Sequence, residues 1–131
     1  MLPRIRAIAT EQAYARHLGF ELISAEPDKV VMKLPWAPFL GDDRVNGGAI
    51  ASLVDVAGTC ACWADPTLAE SARGATVGFS ISYMKLVVEA DITATAHVRR
   101  RGGSICFADI SVQDDGGNEV AMAQLTYKLS R

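Results

Sequence analysis

No stretch of this chain approaches the eighteen or so consecutive apolar residues that a membrane-spanning helix needs. The opening residues MLPRIRAIATEQAYARHLGF are interrupted by Arg4, Arg6 and Glu11 before any apolar run reaches signal-peptide length. The expectation is a soluble, cytoplasmic protein. A surplus of charge is also missing: 13 Lys and Arg against 15 Asp and Glu give a formal charge of -2. That balance offers no global attraction to nucleic acid or to an anionic membrane, so any bound anion must be held by a local cluster. Cysteine is scarce and odd in number, at three. Cys60 and Cys62 stand two apart in a helical pattern, point away from each other and match no zinc spacing, which leaves reduced, buried thiols and no metal site. Repeats, low-complexity segments and linkers are absent as well.

What is present is a chain built to fold. Its 131 residues are 50% hydrophobic and 21% charged, far from the composition of disorder. One domain spanning residues 1–131 is expected, burying roughly two thirds of its unfolded surface. Residues 4–17 mix Ile5, Ile8 and Tyr14 with charges at near-helical spacing, which predicts an outer amphipathic helix ending at Gly19. Phe20 to Ala25 and Val30 to Leu34 read as a hairpin turned by Glu26-Pro27-Asp28. A loop follows over Trp36 to Val45.

From Ala49 to Ala64 the chain reads AIASLVDVAGTCACWA, apolar almost all the way round and long enough to prefer helix, so this helix must be buried. Its polar members Ser52, Asp55 and Thr59 recur at spacings of three and four and form one narrow stripe. Asp65-Pro66 stops it. The second half alternates: Thr76 to Val87, Asp91 to Arg101, Ser104 to Val112 and Glu119 to Leu129 are four expected strands. Ile92, Ala94, Ala96 and Val98 would face one side, and Thr93, Thr95, His97 and Arg99 the other. Gly102-Gly103 is a hairpin loop able to take positive φ. The class is α+β, with an antiparallel sheet packed on one long helix.

Two places in this pattern carry chemistry. At Asn46-Gly47-Gly48 a pair of glycines lets a ligand approach N–H groups that a helix start leaves unpaired and positively polarised, a ready site for an oxyanion, although paired glycines also serve a sharp loop-to-helix turn. Asp55, two turns inside a greasy helix, costs several kcal/mol unless it is paired, hydrogen-bonded or exposed in a cleft, which makes it a functional candidate.

The run VNGGAIASLVDVAGTCA, followed by TVGFSISYMK and the last three alternating strands, resembles the hotdog-fold acyl-CoA thioesterases of the phenylacetate-pathway, or PaaI-like, group across nearly the whole chain. The resemblance implies a sheet wrapped around the long helix, dimers with a continuous sheet often paired into tetramers, and no metal or tightly bound cofactor. It implies roles too: the Gly47 N–H would polarise the thioester carbonyl, Asp55 would act as general base or nucleophile, and Thr76 would help to orient water or the carboxylate. Asn46 stands where the family usually has histidine, and Phe39, Leu40 and Gly41 occupy the region where many members carry an asparagine. An amide donates hydrogen bonds but takes up no proton near neutral pH.

Spacing adds a condition. Eight helical residues separate Gly47 from Asp55 by roughly 12 Å and turn about 80°, so both reach one thioester only if a two-fold partner brings its Asp55 beside Gly47. Arg99 and Arg101 beside Gly102-Gly103, with Lys85, are the basic groups expected to meet the nucleotide and pyrophosphate of the acyl-CoA substrate; a solvated strand end is the plainer reading. Trp36, Phe39 and Leu40 are candidates to line an acyl pocket or to pack. His17 and His97 adjoin neither motif. Two other functions fit the same fold: a dehydratase or hydratase, which would need the missing histidine, and a non-catalytic acyl-CoA-binding protein.

Overall fold

A computed structural model describes residues 1–130. The N-terminal segment forms α1 (Leu2–Arg6), a π-helical turn (Ala7–Glu11) and α2 (Ala13–Leu18). A hairpin of β1 (Glu21–Glu26) and β2 (Lys29–Leu34) follows, then a 3-10 turn (Pro38–Leu40) and the long helix α3 (Gly47–Trp63). Four strands complete the chain: β3 (Arg73–Tyr83), β4 (Ile92–Arg101), β5 (Ile105–Asp114) and β6 (Glu119–Ser130). All six strands form one antiparallel sheet in the order β1-β2-β4-β5-β6-β3. The sheet wraps around α3, as the resemblance implied.

The expected alternation holds on β4, where Ile92, Ala94, Ala96 and Val98 are buried beneath α3 and Thr93, Thr95, His97 and Arg99 lie on the other face. Leu53, Val54, Ala57 and Ala61 of α3 meet this surface with no exposure. Small residues set the separation of helix and sheet. A β-carbon at Gly58 would lie 3.0 Å from Leu125 Cδ1 and 3.2 Å from Ile110 Cδ1, so the helix sits as low on β5 and β6 as a glycine allows.

Three expectations are corrected. The single helix over residues 4–17 is broken, with Gln12 extended at φ -69° and ψ 148°. Ala9 and Ala15 are both buried, yet they would point about 120° apart on an unbroken helix; the break brings each to the core. The strand expected over Thr76 to Val87 begins at Arg73 and ends at Tyr83, whose ladder partner is Ala121; beyond the start of β6 there is little left to pair with. Gly102 and Gly103 make the β4–β5 hairpin without positive φ, which is found instead at Gly19 and Gly117. Gly102 is favoured for another reason, since a β-carbon there would crowd the Ile105 carbonyl oxygen at 3.1 Å. The thiols are free and buried, as expected: burial pushes Cys60 up to about 12, and a contact with the Cys106 thiol together with burial pushes Cys62 further.

Overpacking of this kind costs about 1–3 kcal/mol, so Gly58→Val should lower unfolding free energy by that amount in a urea titration, with an unchanged m-value.

Candidate functional site

Asn46 is the N-cap of α3. Its Oδ1 accepts from the Gly48 N–H at 2.7 Å, and its own N–H donates to the Leu40 carbonyl at 2.7 Å. With the side-chain oxygen committed to the helix, its amide NH2 is what remains for a ligand. The Gly47 N–H, first in the helix, has no acceptor among the described residues. Tyr83 Oη donates to the Gly47 carbonyl at 2.8 Å and its ring lies against the glycine, closing one side of a cavity of about 660 Å³ that Asn46, Gly47, Arg44 and Lys85 also line.

Asp55 opens into a different cavity, of about 340 Å³, between α3, the N-terminal segment and the start of β3. The carboxylate is half-buried, not fully buried as the helix pattern suggested. The polar stripe explains why: Ser52 bonds Tyr14 Oη at 2.7 Å, and Asp55 and Thr59 face the cavity, so the stripe runs along the side of α3 that lies between the N-terminal segment and the start of β3. Thr76 Oγ1 donates to Asp55 Oδ1 at 2.7 Å. Oδ2 is left without a partner among the described residues.

Gly47 and Asp55 therefore front separate cavities of one chain, as their spacing required. Both cavities border β3, one at Thr76 and the other at Tyr83, about 23 Å apart along the strand. No local sequence pattern singles out Tyr83, Trp63, Tyr127 and Arg44 as site residues, because their places depend on the register of β3 and β6 and on the end of α3.

The basic residues do not gather. Lys85 lies by the Gly47 cavity and pairs with Asp114 at 3.2 Å; the Asn118 N–H, with Lys85, holds that carboxylate below its usual range. Asp114 is the ladder partner of Ile92, at the start of β4, and Arg101 ends the same strand, roughly 30 Å away. Arg99 is exposed and pairs with Asp109 at 3.2 Å. Arg101 is only 17% exposed: its Nε donates to Asp28 Oδ1 at 2.8 Å, and Nη1 and Nη2 donate to the carbonyls of Cys62 and Ala61. It ends α3 by satisfying carbonyls the helix leaves open. The expected three-residue cluster is corrected: one member is spent on the fold, and the other two lie far apart. Leu40 is in the core, Phe39 is exposed against His17 with ring centroids 5.4 Å apart, and the Trp36 N–H binds Asp91. None of them borders either cavity.

Removing the Arg101 side chain leaves partly buried carbonyls unpaired, so Arg101→Ala should cost about 1–3 kcal/mol by chemical denaturation. A KM effect without loss of stability would contradict the structural role.

Comparison with known proteins places these features. The family model described as the thioesterase superfamily matches residues 43–121, which carry both cavities' helix, Thr76 and Tyr83. Human acyl-coenzyme A thioesterase 13 is 30% identical over 130 residues, covering 95% of this chain and 91% of that protein. Zebrafish thioesterase superfamily member 2 superposes with a TM-score of 0.81 at 28% identity, covering 96% and 93% of the two chains. The Escherichia coli PaaI protein of the phenylacetic acid degradation operon shares the fold with a TM-score of 0.85 at 22% identity, covering 97% and 91%. Over its sheet, its central helix and the motif at the helix start, the chain belongs to the thioesterase superfamily and has the hotdog fold.

Proposed function

We propose that this protein hydrolyses acyl-CoA thioesters to free acid and CoA, with Asp55 as general base and the Gly47 N–H holding the oxyanion. The observation that carries the reading is the 2.7 Å hydrogen bond from Thr76 Oγ1 to Asp55 Oδ1 inside a cavity. It holds one carboxylate oxygen in place and leaves Oδ2 to take a proton from water. That water attacks the thioester carbonyl carbon, and the resulting oxyanion is met by an N–H at the positive end of α3. Collapse breaks the C–S bond, and the proton held by Asp55 passes to the leaving CoA sulfur. Lys85 and Arg44, both exposed beside the Gly47 cavity, are the cations nearest to where CoA phosphates would lie there.

The complete site is a dimer's. Of the two sheet edges, β1 is short, carries Glu21 and Glu26 and is bulged between Leu22 and Ser24, features that discourage pairing. The β3 edge is long and open, with Val77 63% exposed and Phe79, Tyr83 and Met84 beside it. An exposed apolar edge of this kind is a template for another strand. Antiparallel pairing of β3 with its copy about a two-fold axis near Ser80 sets Tyr83 opposite the partner strand's Thr76 to Gly78 bulge, which unites one chain's Gly47 cavity with the other chain's Asp55 cavity.

Asp55→Asn keeps the acceptor for Thr76 and removes the base, so kcat on the best CoA ester should fall by about 10² to 10⁴ with the thermal melt unchanged. A folded variant with wild-type kcat would reduce Asp55 to a structural residue. Ser80→Cys should cross-link to a covalent dimer under mild oxidation, since the three native thiols are buried and give no background. A Ser80→Cys protein that sediments as a monomer, stays uncrosslinked and still turns over would remove the shared site.

A further inference from the structure

The cavity beside Asp55 has a built end wall that the proposed chemistry does not use. Trp63, the last residue of α3, donates from Nε1 to Tyr127 Oη at 2.8 Å. Tyr127 is buried, and its ring lies across Gly74 so closely that a β-carbon there would come within 2.4 Å of ring atom Cε2. Glycine at this place on β3 is what admits the ring. The Trp63 ring is held from its other side: the Arg4 guanidinium lies 5.0 Å from its centroid, and Arg4 Nη2 is anchored on the Ala69 carbonyl at 3.0 Å. A hydrogen bond, a cation–π contact and a missing β-carbon therefore pin two aromatic rings against a cavity that Asp55 and Thr76 also line, with Trp63 about two helical turns beyond Asp55 along α3.

The N-terminal segment supplies the side wall. Ile8 stands on the π-helical turn and Gln12 at the extended break, and both border the cavity. Ile8 thereby lines the cavity together with Val56 and Trp63 of α3. The result is a slot of about 340 Å³, near the small end of the roughly 300–1,000 Å³ range of ligand pockets, in which Ile8, Val56, Trp63 and Tyr127 supply the apolar lining and Gln12, Asp55, Thr59 and Thr76 the polar one.

We infer that this slot receives the acyl group of the thioester, and that Trp63, braced by Tyr127, Gly74 and Arg4, closes its end and limits the substrate to short or single-ring acyl chains. The inference rests on the hydrolytic reading above and deepens it. Trp63 is a specificity-determining residue: it touches no reacting atom, and its removal lengthens the slot.

The test uses the full chain and a series of CoA esters from acetyl to palmitoyl with benzoyl, read by thiol release. Wild type should favour the short and single-ring esters. In a hydrophobic pocket one methylene discriminates by roughly 10–200-fold, so Trp63→Ala should raise the decanoyl-to-butyryl ratio of kcat/KM at least tenfold. Trp63→Phe and Ile8→Ala, milder changes that keep an apolar wall, should raise the ratio in the same direction, so the test stands even if the alanine variant does not fold. Phe39→Ala, an exposed ring away from the slot, should leave the ratio unchanged. Wild-type turnover that needs Asp55, with the same ratio in folded Trp63→Phe and Ile8→Ala, would overturn the acyl slot and spare the hydrolytic reading. Absence of thiol release from every ester by wild type would overturn both.

Discussion

The close seating of α3 on β5 and β6 at Gly58 is the contact from which the rest of the structure follows. Because Leu125 and Ile110 reach within 3.0 and 3.2 Å of where a β-carbon would be, the helix sinks into the sheet and its apolar surface is consumed on three sides. Only a narrow side remains uncovered. That is where Ser52, Asp55 and Thr59 fall, and it is closed by the N-terminal segment and the inward face of β3 rather than by the core.

Strand β3 then decides how the two halves of the site relate. It borders the Asp55 cavity at Gly74 and Thr76 and the Gly47 cavity at Tyr83. An edge strand that is apolar and unprotected invites a partner, and any antiparallel two-fold partner exchanges its two ends. The same exposed backbone row that would be an aggregation hazard in a monomer is thus the surface on which the proposed shared site depends.

Charge is distributed with a similar economy. The cations that look alike in sequence have different occupations: Arg101 ends a helix, Arg99 pairs with Asp109 on the sheet, and Lys85 pairs with Asp114 beside the glycine cavity. Guanidinium and ammonium groups go where carbonyls and carboxylates are left open, and a basic run in the sequence says little about which of its members reaches solvent.

The sequence by itself determined the order of elements, the buried helix, the inward and outward faces of β4 and the identity of Asn46-Gly47 and Asp55 as places of interest, because those rest on periodicity and on the cost of a polar group within a few residues of its own chain. It also made Gly47 and Asp55 too distant to act together in one chain, since helix geometry is local. Tertiary structure decided the rest. Whether Asp55 was sealed or half-open depended on which side of α3 the sheet covered, and whether Arg101 faced a substrate or a helix end depended on where β4 stopped. The Trp63–Tyr127 pair joins residues 64 apart in sequence, from a helix end and a strand whose register no local pattern encodes.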